Sequence, residues 1–191
     1  FSETTTASFG VDFVVGAEDG AASEAAAFGY QMGIGLSTSF TGEDSLDVAI
    51  DIGDGTSGAL DFDDTSDVLT VDGLTYTFPV GGATVLVGDS TDVSALYTGA
   101  CAYSSFTDYM GNCGTGSTVG VGGSGVTAAM SYAFDSGFSL AGGVSSETDS
   151  ILTEEGSDIY GIEAAYSADS YGVSVASVSY THLRAHETLL D

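Results

Sequence analysis

Phe28-Gly-Tyr-Gln-Met-Gly-Ile-Gly-Leu-Ser-Thr-Ser-Phe40 is the stretch on which the fold turns. Its even positions are Phe28, Tyr30, Met32, Ile34, Leu36, Thr38 and Phe40, and its odd positions are Gly29, Gln31, Gly33, Gly35, Ser37 and Ser39. Side chains alternate faces along a strand, so one face of this segment is apolar and the other is small and polar. A transmembrane β-strand needs only ~9–11 residues and commonly carries aromatics where it meets the membrane surface. This run is long enough and has aromatics at both ends. A half-buried strand of a soluble sandwich shows the same period, so the segment alone leaves both readings open.

The neighbouring segments repeat the pattern. Thr4 to Val15 sets Phe9, Val11, Phe13 and Val15 against Ser8, Gly10 and Asp12. Leu46 to Ile52 sets Leu46, Val48, Ile50 and Ile52 against Asp47, Ala49 and Asp51. A slip of one residue there would turn both aspartates onto the apolar face, so the register is well specified. Val68 to Phe78 changes parity, from Leu69 and Val71 to Leu74, Tyr76 and Phe78, and Gly73 at the change predicts a bulge. Pro79 to Gly82 is expected to turn the chain into a short strand, Ala83 to Gly88, of ambiguous parity. Further strands are expected at Val126 to Phe134, Phe138 to Val144, Ile159 to Tyr166 and Tyr171 to Ser177. The connections alternate between short turns and long acidic loops. Aromatics border the short ones: Phe40, Phe78, Phe134, Phe138, Tyr166 and Tyr171.

A soluble sandwich has little reason for that asymmetry, whereas an outer-membrane barrel has short turns at one end, long loops at the other and an aromatic girdle. The faces opposite the apolar ones hold Gly, Ser, Thr, Ala, Asp and Gln, which suits a water-filled lumen better than a dry core. The expected class is therefore all-β: an antiparallel up-and-down transmembrane β-barrel, incomplete, with about nine strands of a larger pore.

Composition narrows the function. The chain of 191 residues carries 28 acids against one base, for a formal charge of −27. Such a chain repels nucleic acid and lacks the Lys/Arg contacts that phosphate binding needs. The acids read as solubilising loops or as a device for attracting cations. No apolar run approaches the ~18–20 residues of a membrane-spanning helix. The chain opens on Phe1 without an initiator Met, from which an upstream segment is expected.

The end of the chain reads differently. Val178-Ser-Tyr-Thr-His-Leu-Arg-Ala-His-Glu-Thr188 matches, codon for codon, the translation of a transposase-type sequencing adapter. It contains the only arginine, Arg184, and both histidines, His182 and His186. The expected division is a partial barrel over residues 1–177 and a non-native tail over 178–191 that fails to extend the sheet in a consistent way.

Three stretches carry a family resemblance. They are Phe1-Ser-Glu-Thr-Thr-Thr6 ahead of a strand, Leu74-Thr-Tyr-Thr-Phe-Pro-Val80, and Tyr132-Ala-Phe-Asp-Ser-Gly-Phe-Ser-Leu-Ala141. They resemble the cyanobacterial iron-uptake porins, relatives of the OprB-type carbohydrate porins, over residues 1–177 and weakly in the loops. The resemblance implies a barrel of about 16 strands preceded by a surface-layer-homology domain and a coiled coil. It implies passage of inorganic ions, iron or small sugars. The basic lumen residues of many porins are missing, which argues against anion selectivity.

Enzymatic chemistry has little to work with. Once the tail is set aside there is no histidine, and two cysteines cannot make a zinc site or a Cys-His nucleophile. No Gly-x-Ser-x-Gly or Lys-bearing phosphate loop occurs. Asp61 to Asp67 misses the EF-hand spacing and glycine, so no metal or other cofactor is expected. Cys101 and Cys113, an even count in an exported chain, read as one disulfide, with two free thiols as the alternative. The bond would close a loop of about 13 residues and restrict the unfolded chain by ~3 kcal/mol. Asp89 to Gly125, the longest irregular stretch, is the candidate for a loop that folds into the pore as a constriction.

The functional expectation is a passive outer-membrane porin with Asp12, Asp47, Asp51 and Glu163 facing its lumen. Asp54, Asp61, Asp63, Asp64, Asp67, Asp89, Asp92 and Asp108 would add charge near the mouth. Its expected partners are outer-membrane lipid, small hydrophilic solutes or cations, and two further copies in a homotrimer. The alternative is a secreted or surface-attached acidic β-rich adhesin with no channel.

Overall fold

The computed structural model describes residues 5–16, 26–54, 65–98, 125–146, 150–152 and 157–181. These residues form strands β1 (Thr5–Gly16), β2 (Ala27–Thr38), β3 (Ser45–Gly53), β4 (Thr70–Val80), β5 (Ala83–Thr91), β6 (Gly125–Ala133), β7 (Phe138–Ser146), β8 (Asp158–Ser167) and β9 (Gly172–Tyr180). All nine antiparallel strands belong to one sheet in the order β1-β2-β3-β4-β5-β6-β7-β8-β9, an open meander with β1 and β9 at its ends. No helix occurs among the described residues. Two compact units divide the chain between Pro79 and Val80.

In the first unit the ladders align like faces. Phe9, Val11, Phe13 and Val15 lie opposite Ile34, Met32, Tyr30 and Phe28. Ile52, Ile50, Val48 and Leu46 follow opposite Met32, Ile34, Leu36 and Thr38. The other face pairs Gly10 with Gly33, Asp12 with Gln31, Gly33 with Asp51 and Ser37 with Asp47. The parity change in β4 is a bulge: Ala49 faces Gly73 and Ile50 faces Val71, leaving Asp72 as the extra residue. Without it, Val71 and Leu74 would fall on opposite faces.

In the second unit Met130 lies opposite Val85 and Gly142, and Tyr132 opposite Ala83 and Leu140. Ile162 lies opposite Gly142 and Ser177, and Tyr166 opposite Phe138 and Val173. These residues make one apolar face. The reverse face carries Leu86, Thr127, Ala129, Ser139, Ala141, Gly143, Ser145, Gly161, Glu163 and Ala165.

Burial runs opposite to that of a soluble sheet. In the second unit the apolar face is the exposed one, with Ile162 61% and Val175 70% exposed; in the first, Phe9 is 71% exposed but β1 is open on both faces and β3 half-buried on both. The buried side chains of the second unit include Thr127, Ser145, Ser146, Asp158 and Glu163 alongside Leu86, Val93, Ala129, Ala141, Ile159 and Ala165.

The short turns explain themselves locally. β4 runs through Pro79 to Val80, and the β4–β5 turn is Gly81-Gly82 rather than a longer turn beginning at Pro79. Proline has no N–H to give a ladder, but it can occupy a strand end where no donor is required. Between β6 and β7, Gly137 N–H donates to Phe134 O at 3.1 Å and Phe134 N–H to Phe138 O at 2.8 Å. Gly137 has φ +86°, and a Cβ there would stand 2.6 Å from Ser167 O. A left-handed conformation costs an L-residue about 1–2 kcal/mol, and the backbone contact adds to that. Gly137→Ala should therefore lower the urea midpoint clearly more than Gly42→Ala, since Gly42 has φ +91° but open space around it. Equal midpoints for the two variants would contradict this account.

The end of β9 runs three residues into the predicted tail. Gly161, Tyr160 and Ile159 pair with Val178, Ser179 and Tyr180, so the sheet continues past Ser177. Thr181 N–H adds a 2.8 Å bond to Asp158 O. A ladder is made by backbone groups, and Val and Tyr favour extended chain, so this segment pairs whatever its origin. On the apolar face of β9, Val173 and Val175 give way to Ser177, before the predicted tail, and to Ser179 within it. The rest of the predicted tail, residues 182–191, lies outside the described residues.

Candidate functional site

Three of the four acids expected in a lumen share the small-residue face of the first unit. Asp12 is exposed on β1 and accepts a bond from Gln31 Nε2 at 3.4 Å. Asp47 is half-buried on β3 and accepts from Ser45 Oγ at 2.7 Å. Asp51 lies across from Gly33, whose missing side chain leaves its Oδ1 room: a Cβ would approach to 3.3 Å. Ser37 Oγ and Ser45 Oγ stand 3.1 Å apart beside them. The arrangement is a wall of carboxylates and hydroxyls that no base neutralises among the described residues, since Arg184 falls outside them.

Glu163 is on the corresponding face of the second unit but is not open to solvent. It is 2% exposed. A segment of residues 92–98, following β5, lies over it. Thr98 N–H donates to Glu163 Oε2 at 2.6 Å, and Thr98 Oγ1 stands 3.0 Å from Ser139 Oγ on β7. Upstream, Thr127 Oγ1 on β6 donates to Thr91 O at 2.9 Å. Val93 is fully buried and packs toward Gly161 with Tyr97, in space that a Cβ at Gly161 would take. The segment is stiffened from within: Asp92 Oδ1 accepts Ser94 N–H at 2.6 Å, and Tyr97 N–H donates to Ser94 O at 2.8 Å. The Tyr97 hydroxyl is buried without a partner. Burial, with Glu163 and Asp92 nearby, pushes its phenol up to about 12.

Of the predicted constriction, Asp89–Thr91 belong to β5 and Gly125 to β6 rather than to an irregular loop, and residues 92–98 rest on the small-residue face. The remainder, with Cys101, Cys113 and Asp108, lies outside the described residues, as do Asp61, Asp63 and Asp64. Asp54 and Asp67 both bond Tyr30 near the start of β2: Tyr30 N–H donates to Asp54 Oδ1 at 2.9 Å and Tyr30 O–H to Asp67 Oδ1 at 2.7 Å. Asp89 accepts the N–H of Ser90 at 2.7 Å. No group of His, Cys, Asp and Glu fit to hold a metal ion occurs among the described residues.

The aromatic residues expected at the short turns are in mutual contact. In the first unit Phe40 and Tyr76 have ring centroids 6.2 Å apart, and Tyr76 and Phe78 5.3 Å apart. In the second, Tyr132 and Phe134 are 4.7 Å apart, Phe138 and Tyr166 4.7 Å, and Tyr166 and Tyr171 6.0 Å. Tyr76 and Tyr132 join the band although only their neighbours two residues along were expected in it. The i, i+2 spacing from Phe78 and Phe134 was the available signal.

One further residue escaped the sequence reading. Asp44, in the β2–β3 turn, accepts bonds from Ser39 Oγ, Phe40 N–H, Thr41 N–H and Thr41 Oγ1 at 2.7–3.0 Å on Oδ1. Its Oδ2 accepts Tyr76 O–H at 2.6 Å. The Tyr76 bond, then those from the turn, hold its carboxyl well below the usual carboxylate range.

The chain matches no protein-family model, and no curated protein or solved structure matches it at a significant level.

Proposed function

We propose that this chain forms part of an outer-membrane porin, a passive water-filled β-barrel channel for small hydrophilic solutes and ions, with a preference for cations. The observation that carries the reading is the inverted burial of the second unit: large apolar side chains stand exposed on one face while Thr127, Ser145 and Glu163 are buried on the other. Monomeric soluble proteins rarely expose a contiguous apolar patch beyond ~300–600 Å², whereas a barrel in lipid requires one. The aromatic contacts beside the short turns suit a membrane surface, where rings with a polar edge settle. Strands beyond β1 and β9 would complete the wall. The likeness of Leu74–Val80 and Tyr132–Ala141 to the iron-uptake and OprB-type porins supports the same reading and suggests inorganic ions, iron or small sugars as cargo. The channel has no catalytic role in this proposal, and its partners are lipid, solute and two further copies.

Asp12, Asp47 and Asp51, the acids on the small-residue face of the first unit, set the selectivity. A wall of carboxylates between low-dielectric boundaries concentrates cations and repels anions. The complete barrel in a planar bilayer under a potassium chloride gradient should give a reversal potential of cation-selective sign. That preference should shrink as salt rises, because the screening length falls from ~30 Å at 0.01 M to ~3 Å at 1 M. Asp47→Asn with Asp51→Asn should reduce it at low salt. An anion-selective sign, or no response to the double substitution, would reject the assignment. An adhesin would instead stay soluble without detergent and conduct nothing.

A further inference from the structure

We infer that Glu163 is a positioning residue: it fixes residues 92–98 against the small-residue face of β6–β8 and so sets the bore of the channel, rather than drawing cations into it. This rests on the pore reading for its consequence, though the latch itself is a matter of local geometry. A carboxylate that is 2% exposed presents almost no surface to a passing ion. Its Oε2 is occupied by Thr98 N–H at 2.6 Å, the short separation of a charge-assisted bond. Its ladder neighbours are Ala141 and Ala176, too small to shield or support it, so the covering comes from residues 92–98.

The surrounding wall is shaped to receive that segment. Gly161 leaves the space into which Val93 and the Tyr97 hydroxyl fit, and Gly143 lies directly across the ladder from it. Ser139 meets Thr98 Oγ1, and Thr127 holds Thr91 O, so the segment is tied down at both ends by different strands. Apolar contact through Val93 contributes, but it is not directional. At the segment's far end two directional bonds meet at Thr98, the neutral one to Ser139 and the charge-assisted one to Glu163, and the second is the stronger. Losing it leaves a buried charge without its donor, a larger penalty than losing a neutral bond.

The two roles separate by substitution. Glu163→Gln removes the charge but keeps an oxygen that can accept Thr98 N–H, whereas Glu163→Ala removes both. A selectivity residue predicts equal effects from the two variants, and a positioning residue predicts different ones. Two readouts are taken on the complete barrel: hydrogen exchange at the amides of residues 93–98 by mass spectrometry, and single-channel conductance in potassium chloride. Expected for Glu163→Ala is exchange about tenfold faster or more, with raised or noisier conductance. Glu163→Gln should stay near the parent in both. Thr98→Pro, which deletes the N–H donor together with the Thr98 Oγ1–Ser139 Oγ contact, should reproduce Glu163→Ala, with Thr98→Val, which loses only the hydroxyl contact, staying near the parent; the pair covers the case in which Glu163→Ala fails to fold. Equal behaviour of Glu163→Gln and Glu163→Ala, or unchanged exchange in Glu163→Ala and Thr98→Pro, would overturn the assignment. If the parent protein conducts nothing, the pore reading fails, while the exchange measurements still decide whether Glu163 holds the segment.

Discussion

Ile162→Arg should destabilise the complete barrel in liposomes by about 2–4 kcal/mol, the cost of an arginine on the lipid face near the bilayer midplane. Ile162 is 61% exposed and stands midway along β8, flanked by Gly142 and Ser177. In a water-soluble protein a residue so exposed would accept arginine within about ±0.5 kcal/mol. The two readings of the fold thus predict opposite results for one substitution. Ser8→Arg is the companion: Ser8 is also exposed, but it lies on the small-residue face, opposite Gly35. That variant should refold at near-parent yield. Urea titration of the liposome-inserted protein gives both numbers. A neutral Ile162→Arg would remove the ground for placing the apolar face in lipid.

The alternation that made this test possible was legible in the chain, because period-two patterning states which residues share a face and nothing more is needed. The bulge in β4 was legible for the same reason: the parity change between Val71 and Leu74 requires an extra residue, and Asp72 is that residue. β5 was not. Val85, Leu86 and Val87 are all apolar, and their faces are decided by Met130, Ala129 and Ala128 across the ladder. Glu163 shows the limit most clearly. Its position on β8 fixed its face, but its cover arrives from Thr98, 65 residues earlier, and local pattern carries no record of such a contact. The tail marks a different limit. The likeness of Val178–Thr188 to a translated adapter concerns the origin of those residues, whereas backbone pairing at Val178 to Tyr180 is indifferent to origin.

Asp44→Ala should be the most damaging change in any short turn, and its effect should depend on acidity in a defined direction. Asp44 is 7% exposed and its carboxylate accepts five hydrogen bonds, four within the turn and one from Tyr76, 32 residues away on β4. Alanine would leave the Phe40 and Thr41 amides and the Tyr76 hydroxyl without their acceptor, and would loosen the Phe40–Tyr76 contact. Asparagine keeps one oxygen for the turn amides but presents an amide group to the Tyr76 hydroxyl, so it should lie between alanine and the parent. Glu43→Ala, one residue earlier in the same turn and exposed, should be near neutral. The folded state holds the Asp44 carboxyl below its ordinary range, with the Tyr76 bond as the first cause. A depressed carboxylate stabilises the fold fully above the unfolded value of about 4, and that contribution is lost as pH falls toward the folded value. The stability gap between parent and Asp44→Asn should therefore be constant from about pH 5 to 8 and narrow progressively below it. Urea midpoints across that range supply the curve. A gap that widens on acidification, or an Asp44→Ala variant as stable as Glu43→Ala, would show that the carboxylate does not hold the turn.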